Sequence, residues 1–182
     1  MKHLEWPESG WGYMPANEET FGNLQDVLDI AQPKAILEIG FYAGHSTSYW
    51  AELTDPTVEI VSCCPDHYSG RKRGPIVENA YPNVTVHLVP SPFVLTHLNG
   101  AIFDLTFIDG NHTYNNCYQD TLIALTVQSR YVLYDNVETA QVRQVIDEFI
   151  EMGYMEEVKQ YTYFSNFKND AKTLEQVLCK IL

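Results

Sequence analysis

The chain has 182 residues, of which 45% are apolar and 19% are charged, a composition that is ordinary for a folded globular domain. Its formal net charge of −13 argues against nucleic-acid binding and against anionic membrane surfaces, because both depend on positive charge. The sequence has no apolar run of about 18 residues, so no membrane span is predicted. Its only basic cluster, residues 71–74, is expected to be a solvated turn.

The cysteines and the N-terminus indicate a cytoplasmic protein. Cys63 and Cys64 are adjacent and the other two cysteines are distant, which fits neither a zinc site nor a secreted disulfide framework. Reduced thiols are therefore expected, and the N-terminal residues lack the apolar core of a secretory signal. We expect one domain over 1–182, composed of an N-terminal helical cap segment (1–32), a segment with the functional strand ends (33–137), and a C-terminal helix with edge strands (138–182).

The first half of the chain alternates between helical and extended patterns. Asn17 is a candidate N-cap for a helix that runs to residue 31 and is ended by Pro33. Residues 35–39 predict a buried strand, and residues 45–53 predict a helix with Tyr49 and Trp50 facing inward. Four further short runs, rich in β-branched and aromatic residues, are typical of buried parallel strands: 57–63, 84–89, 103–109 and 130–135.

The second half adds two helices and a tail. Helices are predicted by the spacing of Tyr114, Tyr118, Leu122 and Leu125, and by that of Val142, Val145, Ile146, Phe149 and Ile150. The tail, about 155–182, is compatible with two strands around a polar turn, and 173–182 equally with a terminal helix. Repeated strand–helix alternation predicts a Rossmann-like, doubly wound α/β fold with helices on both faces of a mostly parallel sheet and an antiparallel C-terminal strand.

A candidate binding loop follows the first predicted strand. Glu38 is followed by Gly40, Gly44 and then Ser46 at the start of a helix. Glycines let a backbone approach a ligand closely, and a helix N-terminus offers free N–H groups. The dinucleotide fingerprint G-x-G-x-x-G is not present. Because the same spacing occurs in ordinary strand-to-helix turns, the loop alone does not separate a binding site from a plain turn.

Two later strand ends carry oxygen ligands. Asp109 ends the fourth predicted strand, and Asp135 with Asn136 ends the fifth. In doubly wound sheets ligands bind beyond the carboxyl ends of the strands, so these side chains are expected to share one crevice. Two carboxylates and an amide suit Mg²⁺ or Ca²⁺. His112 lies at the mouth of the crevice and is a candidate general base, whereas the other histidines, His67 among them, are expected to be structural or exposed.

These motifs together resemble the class I S-adenosylmethionine (SAM)-dependent methyltransferases, specifically the metal-dependent small-molecule O-methyltransferases such as the catechol and caffeoyl-CoA enzymes. The resemblance covers about residues 18–150. It implies that the cofactor is contacted by Glu38, Gly40, Tyr42, Gly44, Ser46 and Asp109. It also implies that Mg²⁺ is bound by Asp109, Asp135 and Asn136.

The resemblance suggests three further site residues and shows two departures. Asn111 falls where some members place a base, beside the candidate base His112, and Ser91 matches a position near the adenine. The acid that normally binds the cofactor ribose at the end of strand two is missing, and Asp66, slightly later, is the candidate substitute. No obvious insertion covers the site, which implies an open pocket, a large substrate, or a wall from a second subunit in a homodimer.

The predicted function is methyl transfer to the hydroxyl of a small molecule. The aromatic N-terminal stretch, residues 5–14, either lines the acceptor pocket or packs against the sheet edge. A non-catalytic SAM-binding or interaction module on the same fold remains an alternative. A nucleotide-dependent oxidoreductase is disfavoured by the missing fingerprint.

Overall fold

The structure is a computed structural model and describes residues 14–167 and 170–182. The predicted role of the aromatic segment 5–14 therefore lies outside the described residues, except for Met14. Met14 is buried, and its carbonyl oxygen accepts a hydrogen bond of 2.9 Å from the Tyr49 hydroxyl. The centre of the predicted polar turn, residues 168–169, also lies outside the described residues.

Seven strands form one mixed sheet in the order β3-β2-β1-β4-β5-β7-β6. The first five strands pair in parallel, and β7 pairs antiparallel with both β5 and β6, as the sequence predicts. The tail therefore forms two strands, and the alternative of a terminal helix is wrong. The strands are β1 (Ala35–Ile39), β2 (Glu59–Cys63), β3 (Val84–His87), β4 (Leu105–Ile108), β5 (Tyr131–Tyr134), β6 (Met155–Phe167) and β7 (Asp170–Ile181).

The described residues form six helices, of which the first precedes β1 and each of the other five connects two consecutive strands. Asn17 caps the first helix as predicted, because its Oδ1 accepts a hydrogen bond of 2.8 Å from the Thr20 backbone N–H. No helix of the described ranges is both long and apolar enough to cross a membrane. The helices are α1 (Glu18–Ala31), α2 (His45–Leu53), α3 (Tyr68–Ala80), α4 (Ser91–Leu98), α5 (Tyr114–Thr126) and α6 (Ala140–Glu151).

The basic cluster at 71–74 lies inside α3, so the expected turn is wrong. Gly74 and Pro75 lower the helix propensity of this segment, which hid the helix from the sequence pattern. The helix is capped by His67, whose Nδ1 accepts a hydrogen bond of 3.0 Å from the Gly70 N–H, and it buries Val77 in the core. Tertiary packing here outweighs local propensity.

Helix α5 is most deeply buried on a face beside the predicted stripe, whose Tyr114, Tyr118 and Leu125 are partly buried against the core. Leu122, a member of the predicted stripe, is 43% exposed. The fully buried positions of this helix are instead Cys117, Asp120, Thr121, Ile123 and Ala124. The sequence therefore predicted the helix correctly, whereas its most buried positions include the Asp120 carboxyl, which the predicted stripe does not contain.

The core has two layers, one on each face of the sheet. Neighbouring strand residues alternate between them, so Ile36 packs with α1 and α2 whereas Leu37 packs with α5 and α6. This alternation sends Glu38 to the α2 side and leaves the strand ends at the carboxyl edge free to form a site.

The β6–β7 hairpin extends past the carboxyl end of β5. The last β5–β7 pair joins Tyr134 to Val177, whereas the β6–β7 ladder continues to Phe167 and Asp170. The hairpin therefore stands beside the crevice in which Asp135 lies. The sequence contains no obvious insertion that would cover the site. The long terminal hairpin forms a wall next to Asp135 instead.

Candidate active site

Both glycines of the first loop have structural reasons to be glycine. Gly40 has a φ of 129°, and a Cβ at this position would lie 2.1 Å from the Asp109 carbonyl oxygen. Gly44 has a φ of 78°, and its Cβ would lie 2.8 Å from the Phe41 ring. Gly40 thus allows the ends of β1 and β4 to touch, and Gly44 forms the turn into α2. The turn and the close strand contact explain why both positions are glycine. Of the two, Gly40 also lines a cavity, and Gly44 does not.

The Glu38 side chain lies under this loop, on the α2 side of the sheet, and stabilises it. Its carboxylate is fully buried and accepts hydrogen bonds from the hydroxyls of Ser46, Thr47 and Ser62. Burial raises the pKa of Glu38, and the three hydroxyl donors oppose that rise. The structure places Glu38 and Ser46 beneath the loop, where they hold β1, α2 and β2 together, and not in the wall of the cavity.

The cavity opens at the carboxyl edge of the sheet and has a volume of about 290 Å³. Five of the predicted site residues line it: Gly40, Tyr42, Ser91, Asp109 and Asn111. The sequence analysis assigned none of the other lining residues to the site: Ile39, Cys63, Cys64, Pro65, His67, Pro90, Pro92, Gly110, Asn116 and Asp120. The cavity therefore joins the ends of β1, β2 and β4 to the loop after β3 and to α5.

The wall formed by the end of β2 carries sulfur, proline and imidazole in place of an acid. Asp66 does not line the cavity, and both of its oxygens accept hydrogen bonds of 2.6 Å from Arg71. His67 faces the cavity, and its ring lies 4.9 Å from that of Tyr42. The imidazole that the sequence assigned to a structural or exposed role thus borders the position where the ribose acid was expected.

Asp109 and Asp135 converge, as their positions in the sequence predict. They lie close enough to share a hydrogen bond, and the Tyr163 hydroxyl donates to both Asp135 oxygens at 3.0 Å. Burial, reinforced by the charge of Glu38, raises the pKa of Asp109 to about 8. Burial and the neighbouring Asp109 raise the pKa of Asp135 well above its usual value. Two carboxyls held this closely favour a shared proton or a cation.

His112 lies beside this pair. Its Nε2 is 3.4 Å from Asp109 Oδ1, a contact in which the donor depends on the tautomer of the ring. Burial lowers the pKa of His112, and the negative charges of Asp135 and Glu138 oppose this effect. The imidazole is therefore mainly neutral at pH 7, which is the form that can accept a proton.

The donor set around the pair fits a divalent cation in its chemistry. Asn136, in the left-handed region with a φ of 56°, directly follows Asp135, and its amide nitrogen donates to Glu138 at 3.4 Å. Two carboxylates and an amide oxygen are hard donors. Within the described ranges, however, no group of three or more histidine, cysteine, aspartate or glutamate side chains could hold a metal ion. A cation here would depend on the amide and on water.

Asp120 is the most informative residue that the sequence did not identify. It lines the cavity from α5 and is only 2% exposed, and its Oδ1 accepts a hydrogen bond of 2.5 Å from the Ser91 hydroxyl. Burial raises its pKa to about 6, and the hydrogen bond from Ser91 opposes this rise. The sequence does contain one sign of this residue: Asp120 is a charged residue among the small residues of α5, away from its stripe of large apolar residues.

Fold and cavity define a Rossmann-like α/β protein with a ligand site at the carboxyl edge of its sheet. The chain belongs to the methyltransferase domain family, whose model matches residues 37–137. This match spans the glycine loop and both aspartate strand ends. The sequence matches no curated protein.

Solved methyltransferases share the fold. An O-methyltransferase from Bacillus cereus in complex with S-adenosylhomocysteine (SAH) superposes with a TM-score of 0.66 at 17% identity, over 91% of this chain and 82% of that one. TomG from Streptomyces achromogenes, an O-methyltransferase of tomaymycin synthesis in complex with SAM, gives 0.66 at 20% identity, over 92% and 81%. The SAH-bound methyltransferase PaMTH1 from Podospora anserina gives 0.64 at 18% identity, over 89% and 77%. At identities this low, the TM-scores show a common fold.

Proposed function

We propose that the protein is a SAM-dependent methyltransferase that methylates a hydroxyl group of a small molecule. The observation that supports the proposal is the cavity between the glycine loop and Asp109, whose carboxyl contacts the His112 imidazole. A cofactor held there would have its reactive end next to a neutral imidazole and a pair of carboxyls. Structural relatives that contain SAM or SAH support the choice of cofactor.

The reaction needs few groups from the protein. Bound SAM would supply a methyl group to the acceptor oxygen, and the electron pair of the broken carbon–sulfur bond would stay on the sulfur. The acceptor proton would pass to the imidazole of His112, which can accept a proton because the ring is mainly neutral. The main task of the chain is to hold the three reacting atoms in line and to exclude water.

Asp109, Asp135 and Asn136 are the residues that would hold a magnesium ion. When bound, such an ion would bind the acceptor oxygen and lower the pKa of its hydroxyl. Tyr163 would support this role of the chain, because its hydroxyl fixes the orientation of the Asp135 carboxyl from the hairpin wall. Asn111, which lines the cavity, is positioned to orient the acceptor.

The hairpin wall favours a small acceptor. It lies beside Asp135, since the Tyr163 hydroxyl donates to that carboxyl, and it would limit the space for the acceptor on this side. Lys172, on the same hairpin, lies 4.0 Å from Glu138 and contributes positive charge near His112. A small molecule that carries a hydroxyl beside an acidic or second oxygen group would suit these surroundings.

Isothermal titration with SAH, followed by turnover of SAM on a panel of hydroxyl acceptors, tests the proposal. We expect binding in the micromolar range and methyl transfer that EDTA suppresses and Mg²⁺ restores. Asp135→Asn should lose the magnesium-dependent turnover and keep SAH binding, whereas the exposed Asp147→Asn on α6 serves as the matched control. A folded protein that does not bind SAH contradicts the proposal, and full activity in EDTA contradicts the role of the metal.

A second function, a non-catalytic SAM-binding module, is favoured by one observation. The end of β2 presents Cys63 and Cys64 to the cavity, and Asp66 is paired with Arg71. Weaker ribose recognition is tolerable in a protein that senses the cofactor without turning it over. Binding of SAH without transfer to any acceptor, with or without Mg²⁺, would identify this function.

A further inference from the structure

Only one of the two oxygens of the Asp120 carboxyl accepts a hydrogen bond from the described residues. Oδ1 accepts the hydrogen bond from the Ser91 hydroxyl. No residue of 14–167 or 170–182 donates a hydrogen bond to Oδ2, although the residue lines the cavity. Oδ2 is also not among the sealed, unsatisfied polar atoms of the described residues, so it is open to the cavity. The hydrogen bond at Oδ1 thus fixes the orientation of the carboxyl, and Oδ2 faces the cavity.

Gly110 leaves the space in front of this oxygen open. A Cβ at Gly110 would lie 3.0 Å from Asp120 Oδ2, so a side chain would press against the oxygen. Gly110 also lines the cavity, between Asp109 and Asn111. The absence of a side chain therefore allows a ligand atom to reach Oδ2 from the cavity.

Folding alone does not account for a carboxylate at this position. Asp120 has no ion pair among the described residues, and it caps no helix there. Its surroundings include the apolar Cys63 and Cys117, whose thiols lie close enough for their pKa values to be raised by its charge. A buried acid without a cation is destabilising unless a ligand uses it.

The order of the strands places Asp120 at the nucleobase end of the cavity. This step rests on the proposed function. The sulfonium must lie near Asp109 and His112, on the β4 side of β1, where the acceptor binds. The rest of the cofactor then extends past the end of β2 towards the loop after β3, and that end is bounded by Ser91 and Asp120.

We propose that Asp120 selects the adenine base of the cofactor by accepting a hydrogen bond from its exocyclic amine on Oδ2. An amine at this position of the purine is a donor and matches the carboxylate, whereas the carbonyl oxygen of a 6-oxopurine would repel it. Ser91 is a positioning residue in this arrangement. A site built to accept a hydrogen bond discriminates strongly against an analogue that lacks the donor.

The test compares binding of SAH with binding of its hypoxanthine analogue, S-inosylhomocysteine, by isothermal titration on the full chain. The wild type should prefer SAH by about tenfold or more, the range of a hydrogen bond to a charged group. Asp120→Asn can rotate its amide to donate to the carbonyl, so the preference should fall to about threefold or less. Asp29→Asn, an exposed carboxylate on α1 that accepts from Gln25, is the matched control and should keep the wild-type ratio.

A second variant keeps the carboxylate and blocks access to it. Gly110→Ala would place a methyl group in front of Oδ2 and should also reduce the preference for SAH. An unchanged ratio in Asp120→Asn, or a wild type that binds both ligands equally, would overturn the assignment and leave the proposed function intact. A folded wild type that binds neither ligand would overturn both.

Discussion

Replacing Asp120 by asparagine is expected to stabilise the protein at neutral pH. The folded pKa of Asp120 is about 6, and its usual value is 3.8. A raised folded pKa means that the folded chain binds the proton more tightly than the unfolded chain, so stability falls as the pH rises from about 4 to about 6. Above pH 6 the loss is complete and amounts to about 3 kcal/mol.

Asparagine removes this charge but keeps an acceptor for the Ser91 hydroxyl. The raised pKa already includes the hydrogen bond from Ser91, so the expected gain at pH 7.5 is about 3 kcal/mol. For a chain of this length, that gain corresponds to a rise in Tm of about 6–12 °C. At pH 4 the two proteins should unfold at nearly the same temperature, because Asp120 is then protonated in the folded state.

Urea unfolding monitored by circular dichroism, between pH 4 and pH 8, measures the difference. Asp29→Asn, which changes an exposed carboxylate, should leave the pH dependence as in the wild type. The reasoning is refuted if Asp120→Asn is less stable than the wild type at pH 7.5. It is equally refuted if the difference between the two proteins is the same at pH 4 and pH 7.5.

Three further substitutions test the site. Gly40→Ala should destabilise the fold by more than about 3 kcal/mol in urea unfolding, because its Cβ would lie 2.1 Å from the Asp109 carbonyl oxygen, whereas Gly100→Ala, with a positive φ but open space, should lose about 1 kcal/mol. A similar loss in both would contradict the close approach of the strands. Asp66→Ala should change SAH affinity by less than about threefold in calorimetry, because Arg71 already occupies both of its oxygens; a loss of tenfold or more would make Asp66 the ribose acid. His112→Gln should lower kcat by about 10²–10⁴ with SAH affinity nearly unchanged, and an unaltered kcat would exclude it as the base.

Periodicity predicted the elements that position the site. β1 and α2 occur over the predicted residues, and the parallel strands begin and end within a few residues of the predicted runs. Apolar alternation and strand–helix order can be recognised in the sequence because they are local properties. The convergence of Asp109 and Asp135 also followed from order alone, since the carboxyl ends of parallel strands meet at one edge.

The sequence did not predict where these site side chains point or which groups they contact. Glu38 and Ser46 follow the expected motif, yet the pleat of β1 turns Glu38 under the loop, where three hydroxyls hold it. Asp66 is drawn to Arg71 because α3 forms where the pattern predicted a turn. Each outcome depends on a neighbour that is distant in sequence or hidden by weak propensity.

The sequence by itself determined the sheet, its glycine loop and the two aspartates at its edge, because these follow from local patterns and chain order. The tertiary structure alone decided which face of α5 is buried, how far the terminal hairpin rises beside Asp135, and therefore which groups border the cavity. A buried carboxylate such as Asp120 depends on packing between elements, and packing is a property of the folded chain as a whole.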